Sequence, residues 1–295
     1  MRSSYHTRMS SIEMSQVDAW FASAQPRPRR LFGTQTFVTS CLLFVLMISM
    51  FGAKFNVPEV VCLALPPLAL AMVVTVGWRA GRRRKQCRES LSKAWEHLQL
   101  DSPAESATIL EQVLRIPIMP ESDLGQAMLL LGGVAERMGS HDAAARAYEL
   151  MLVHQAGDII QLQEAQVNLA EAKVRNHELT DAVTLIHRLA QVPMPPPIKA
   201  VFELVRLFQE VFMGHAQDAL VNVEERRSLF RKYLSIRAGF GYGLLAAAYH
   251  QVGQTDSAAS LWLDATTLAK PDRLIREYAL LEPISRLYPA ARNPL

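Results

Sequence analysis

Residues 242–271 read YGLLAAAYHQVGQTDSAASLWLDATTLAKP, and this stretch decides the fold. Small and large apolar residues run up to Val252-Gly253-Gln254, where glycine suits the left-handed conformation that ends a helix. Asp256 opens a second run, as a short carboxylate there can cap free amides and meets the positive end of a helix dipole. Pro271 follows it. The unit is helix, tight turn, helix.

The same unit recurs toward the N-terminus. Leu131, Leu169, Leu207 and Leu245 stand every 38 residues. Ala107, Ala144, Ala182, Ala219 and Ala258 form a second column at spacings of 37 to 39, and Asp142, Asp181, Asp218 and Asp256 stand one or two residues before the last four. Between the columns lie Met138-Gly139-Ser140, Asn176-His177, Met213-Gly214-His215 and Val252-Gly253-Gln254, with asparagine expected to take the place of glycine once. No segment sustains strand-type alternation, so the expected class is all-α, a solenoid of helix-turn-helix repeats.

Leu131, Gly132, Ala135, Gly139, Ala144 and Tyr148 stand at spacings that resemble the tetratricopeptide repeat (TPR) consensus. The copy at Tyr242, Leu245, Ala246, Tyr249, Gly253, Ala258, Trp262, Ala265 and Pro271 resembles it more closely, and Leu169, Ala170, Ala182, Ile186 and Leu189 form a middle copy. The period exceeds the usual 34 residues. The copies around Trp95 to Leu114 and Phe202 to Val223 match poorly, with Arg206 where a leucine is expected, and Val192-Pro193-Met194-Pro195-Pro196-Pro197 is inserted between copies. The resemblance implies about five units over residues 88–272 and a terminal helix, Asp272 to Pro289, covering the last.

The N-terminal third reads differently. The chain of 295 residues is 50% hydrophobic and 20% charged, with mean hydropathy +0.08 and formal charge +3. Residues 1–85 hold 11 Lys and Arg against 3 acids, while residues 86–295 hold 20 against 25, so a basic nucleic-acid-binding module is disfavoured. Leu31 to Ala53 and Val60 to Trp78 are uncharged, and each matches the roughly 20 apolar residues that span a bilayer. The expected organisation is a flexible cytoplasmic leader (1–30), transmembrane helices at 31–53 and 60–78, an external loop at 54–59, a basic juxtamembrane segment at 79–87 and a TPR-like solenoid with a capping helix at 88–295. Arg27, Arg29 and Arg30 before the first span and Arg79, Arg82, Arg83, Arg84, Lys85 and Arg88 after the second place both termini in the cytoplasm, with the last six against anionic headgroups. Pro66 and Pro67 are expected to kink the second span. Cys87 follows four bases, a setting that lowers a thiol pKa or suits lipidation, with an ordinary juxtamembrane thiol as the plainer reading.

No motif suggests catalysis, a cofactor or a metal: the eight histidines form no His-Glu-x-x-His pair, and no P-loop or nucleophile elbow is present. The glycines of Ala238 to Gly243 imitate a phosphate-binding loop, but close helix packing explains them better. What remains is a surface. The resemblance implies a peptide-binding groove on the first helices of the repeats, with Gln126, Leu129, Gly133, Glu136 and Arg137, then Glu164, Val167, Asn168, Glu171 and Arg175, then Ala247, His250 and Gln251 as its positions. Leu129 and Gly133 stand where the family's carboxylate clamp needs lysine and asparagine, which argues against capture of a chaperone tail. Glu224, Glu225, Arg226, Arg227, Arg231 and Lys232 form the densest charge run, in which only Glu224 and Arg227 make an attractive helical pair. It reads as a solvated face or a docking patch. The expected function is a membrane-anchored scaffold that binds protein partners through the groove and the bilayer through the hairpin, with no nucleic acid and no small-molecule substrate. The alternative is an accessory subunit of a larger membrane complex, contacted mainly through the hairpin.

Overall fold

The computed structural model describes residues 11–24, 59–116 and 120–290. Among them every regular element is helical. The chain divides into two compact units, the first ending at Met138 and the second beginning at Gly139.

The first unit contains α1 (Met14–Ala24), α2 (Glu59–Gln99), α3 (Pro103–Leu114) and α4 (Glu121–Arg137). In the C-terminal part of α2, Cys87, Leu91, Ala94 and Leu98 recur at three- and four-residue steps and are buried on one face. α2 and α3 pair through a tight turn at Asp101, and the Ser106 hydroxyl on α3 donates to the Ala94 carbonyl at 2.8 Å. Residues 14–24, expected within a flexible leader, form α1 instead. Its Val17, Trp20, Phe21 and Ala24 are buried, and it packs against α3.

The transmembrane hairpin, and with it the integral-membrane location, is overturned. Among the described residues no helix is long and apolar enough to cross a membrane. The second uncharged run is no separate element: it is the first half of α2, which passes Pro66 and Pro67 and continues through the basic stretch to Gln99. Arg79, Arg82, Arg83, Arg84, Lys85 and Arg88 are exposed along this helix, whose far end pairs with α3. Two of them make local ion pairs, Lys85 with Glu89 at 3.9 Å and Arg88 with Asp123 at 3.4 Å. The run 31–53 lies outside the described residues.

Cys87 points into the first unit rather than to its surface. Burial, reinforced by the nearby Asp123 carboxylate, pushes its thiol above the ordinary 9.0, so the preceding bases do not make it reactive. At about pH 8 a thiol reagent is expected to label Cys87 only after the protein is denatured. Peptide mapping checks this, and rapid labelling of the native protein would contradict the packing.

The second unit contains α5 (His141–Val153), α6 (Ile159–Arg175), α7 (Leu179–Leu189), α8 (Pro196–Phe212), α9 (Ala216–Ala219), α10 (Val223–Tyr233), α11 (Ala238–Gln251), α12 (Thr255–Leu268), α13 (Pro271–Glu277) and α14 (Glu282–Leu287). The pairs α6 with α7, α8 with α9 and α11 with α12 are helical hairpins, and their first helices α6, α8 and α11 pack side by side in that order. The two columns seen in the sequence are interior: Ala144, Ala182, Ala219, Ala258, Leu207 and Leu245 are fully buried, and Leu169 nearly so. Small alanines allow the close helix approach that the bulk of Trp262, Tyr148 and Phe230 then fills.

The turns carry the period more sharply than the columns do. Among the described residues, Asp101, Gly139, His177, Gly214 and Gly253 all have positive φ, at intervals of 38, 38, 37 and 39 residues. After four of them the next amide reaches back to a helix carbonyl, Ser102 to His97, Glu178 to Lys173, His215 to Glu210 and Gln254 to Tyr249, at 2.8–2.9 Å. This is the Schellman closure of a helix C-terminus. At the third turn the left-handed residue is His177 and not Asn176, which remains at φ −80.

Two irregularities matter. The helix α9, which pairs with α8, stops after four residues, and the chain re-enters helix α10 beyond Asn222 at φ 58. Arg226 of α10 bridges the break: it is buried, donates to the Ala219 carbonyl at 2.8 Å, and pairs with Glu210 at 2.9 Å and Glu203 at 3.2 Å. Gly239 and Gly241, meanwhile, lie inside α11 where a side chain would meet Ala265 and Leu268 or the Phe230 ring, so they serve close packing.

Candidate peptide-binding site

The site begins at the start of α6. Asp158 accepts from the Gln161 amide at 2.9 Å while the Gln161 side chain accepts from the Asp158 amide at 3.0 Å, a reciprocal cap that fixes where the helix starts. Glu171 and Arg175, four residues apart, then share one face near its end, joined at 2.7 Å. Glu171 is buried, and only 12% of the Arg175 side chain is exposed.

The chain's own C-terminal segment is seated here. α13 ends at Glu277, Tyr278 is extended at φ −133 and ψ 96, and a single 3-10 turn, Ala279–Leu281, leads into α14. Arg175 donates to the Glu277 main-chain carbonyl at 2.6 Å and to its carboxylate at 3.0 Å. The Tyr278 hydroxyl donates to Glu171 at 3.2 Å. Its ring lies 4.7 Å from Phe208 of α8 and edge-on to Phe240 of α11 at 5.9 Å, with the Arg175 guanidinium 4.9 Å from its centre. Further along, His250 Nδ1 and the Tyr288 hydroxyl are 2.9 Å apart. Leu274, Tyr278, Leu281 and Ile284 are buried, and the segment packs on α11.

Charge is tightly controlled at this seat. Burial works to raise Glu171, but Arg175 and Arg237 outweigh it and hold the carboxyl below its ordinary 4.5. Burial opposes the Arg175 charge too, yet Glu171, Tyr278 and Glu277 keep it above the usual arginine value. Tyr278 is pushed well above 10.0 by burial and then by the Glu171 carboxylate, so it stays a neutral donor. His141 on α5 is lowered by burial and next by Arg175.

Of the groove positions read from sequence, Glu171, Arg175 and His250 meet the C-terminal segment. Glu164 is exposed and Asn168 half-buried on α6, and Gln251 is exposed at the end of α11, its amide 3.5 Å from the Val211 carbonyl. Gln126, Leu129, Glu136 and Arg137 belong to α4 of the first unit, where Arg137 faces Asp101 at 3.5 Å. Sequence reasoning missed Phe208, Phe240, Glu277 and Tyr278. The four-, three- and three-residue spacing of Leu274, Tyr278, Leu281 and Ile284 signalled a packed segment, though not the surface that it covers. The charge run divides as well: Arg226 is internal, whereas Arg227 pairs with Glu224 at 3.1 Å and with Asp264 at 3.2 Å. The chain matches no family model, no curated protein and no solved structure.

Proposed function

We propose that the chain is a TPR-like scaffold that binds peptide segments of partner proteins on the first-helix face of its second unit, without chemistry of its own. One observation carries this reading: Arg175 holds both the main-chain carbonyl and the carboxylate of Glu277. A surface that grips backbone and side chain together has the two components of peptide recognition, affinity from the main chain and specificity from the side chain. Neighbouring Asn168 and Gln251 extend that face beyond the seat.

A photo-crosslinking amino acid placed singly at Asn168, Gln251, Arg188 or Leu263 of the full-length chain tests it. Arg188 and Leu263 are exposed on the second helices α7 and α12. Adducts with a partner protein are expected from Asn168 and Gln251 and not from the other two; the reverse pattern would move the interface to the second helices.

A further inference from the structure

Glu277 and Tyr278 are held differently from the remainder of the segment that carries them. Leu274, Leu281 and Ile284 simply bury apolar surface. At Glu277 and Tyr278 the contacts are instead the carbonyl and carboxylate of the first and the phenol and ring of the second, each with a named partner on α6, α8 or α11. A seat built only for stability would be apolar, because burying an ion pair recovers little over well-packed hydrocarbon, whereas a polar seat discriminates between occupants.

The segment is also weakly self-supporting. α13 and α14 have seven and six residues, too short to hold helix alone, and the extended pair Ala269 and Lys270 joins them to α12. Its residence follows from its tether, which supplies an effective concentration in the millimolar range with no need for high affinity.

We propose that Glu171, Arg175, Phe208 and Phe240 form a tyrosine-reading subsite for partner segments in which an acidic residue directly precedes a tyrosine, and that Glu277-Tyr278 is its built-in competitor. This rests on the scaffold reading and names what the scaffold reads. The acid answers Arg175, the phenol answers Glu171, and the ring fits between the two phenylalanines. Phenylalanine in place of tyrosine removes one of the two donors on the buried Glu171 carboxylate and leaves Arg175 alone on it. A phosphotyrosine is rejected, since its phosphate would meet that carboxylate. The tethered segment makes the empty seat a minor state, so a partner's apparent affinity is reduced in proportion.

The test uses the full-length chain and, as probe, a fluorescent peptide of sequence PDRLIREYALLEPISRLYP, which copies residues 271–289. Fluorescence anisotropy compares wild type with Tyr278→Ala, whose own segment is loosened while the seat is intact. The variant is expected to bind the probe at least about tenfold more tightly than wild type. Replacing the probe tyrosine that copies Tyr278, and not the one that copies Tyr288, by phenylalanine is expected to cost about tenfold or more, and phosphotyrosine at that position to abolish binding. Equal binding by both proteins, or indifference to the phenol, overturns the proposal. Should Tyr278→Ala fail to fold, hydrogen exchange on wild type decides: saturating probe must speed exchange of residues 271–289, and unchanged exchange refutes displacement. If these assays fail while the Asn168 and Gln251 adducts persist, the subsite is wrong and the scaffold stands; loss of both removes the scaffold as well.

Discussion

Arg175→Ala is expected to destabilise the second unit by about 3–5 kcal/mol, the usual cost of removing one partner from a buried ion pair. The substitution takes the paired cation from buried Glu171 and leaves Arg237 and the Tyr278 hydroxyl to answer its charge, frees the Glu277 carbonyl and carboxylate, and takes a cation from the Tyr278 ring. Urea unfolding followed by circular dichroism reads the loss as a lower midpoint. A change under about 1 kcal/mol would mean that the pair is solvated like a surface bridge. The same network sets an acid limit. The folded Glu171 lies below its ordinary 4.5, so its contribution is present above that value and is lost as pH falls through the depressed one. The wild-type midpoint should therefore drop below about pH 4.5, and Glu171→Gln should flatten that dependence.

Arg226→Ala is the second large effect, again about 3–5 kcal/mol. Arg226 is the cation between Glu210, whose side chain is 6% exposed, and Glu203, and it also satisfies the carbonyl that ends the four-residue α9. Arg206 still reaches Glu210 at 2.9 Å, but it is itself 42% exposed and cannot take up both carboxylates. The loss should concentrate at the interrupted helix, so hydrogen exchange is expected to accelerate first in residues 216–233. Uniform acceleration over the unit, or a midpoint unchanged from wild type, would show that Arg226 does not hold the break.

The parts of the fold that were legible in the sequence are those fixed by local chemistry. A helix that must stop needs a left-handed residue, and a helix that must approach another closely needs alanine, so the turns and the alanine column announce themselves at 37- to 39-residue intervals. The Asp101 turn was missed because aspartate is a less frequent left-handed residue than glycine and its repeat copy is degenerate. His177 was passed over for Asn176 for a related reason: residue preference ranks the two, but the position of the helix's last turn decides between them.

Other features depend on where distant residues meet. Arg226 stands in a charge run that reads equally well as a solvated face, and its partners are 16 and 23 residues away. Glu171 and Tyr278 are separated by 107 residues, and the apolar spacing of the terminal segment is the same whether it caps the last repeat or crosses three first helices. The membrane hairpin was inferred from the lengths of uncharged runs. Run length cannot reveal that residues 60–78 belong to a helix whose far end pairs with α3.

The account stands or falls on the seating of Tyr278 against Glu171 on the first-helix face. A double-mutant cycle in the full-length chain, Glu171→Gln and Tyr278→Phe singly and together, measures that contact by urea unfolding. The account predicts a coupling energy of about 1–2 kcal/mol. Two substitutions that simply add, within about 0.5 kcal/mol, would contradict it.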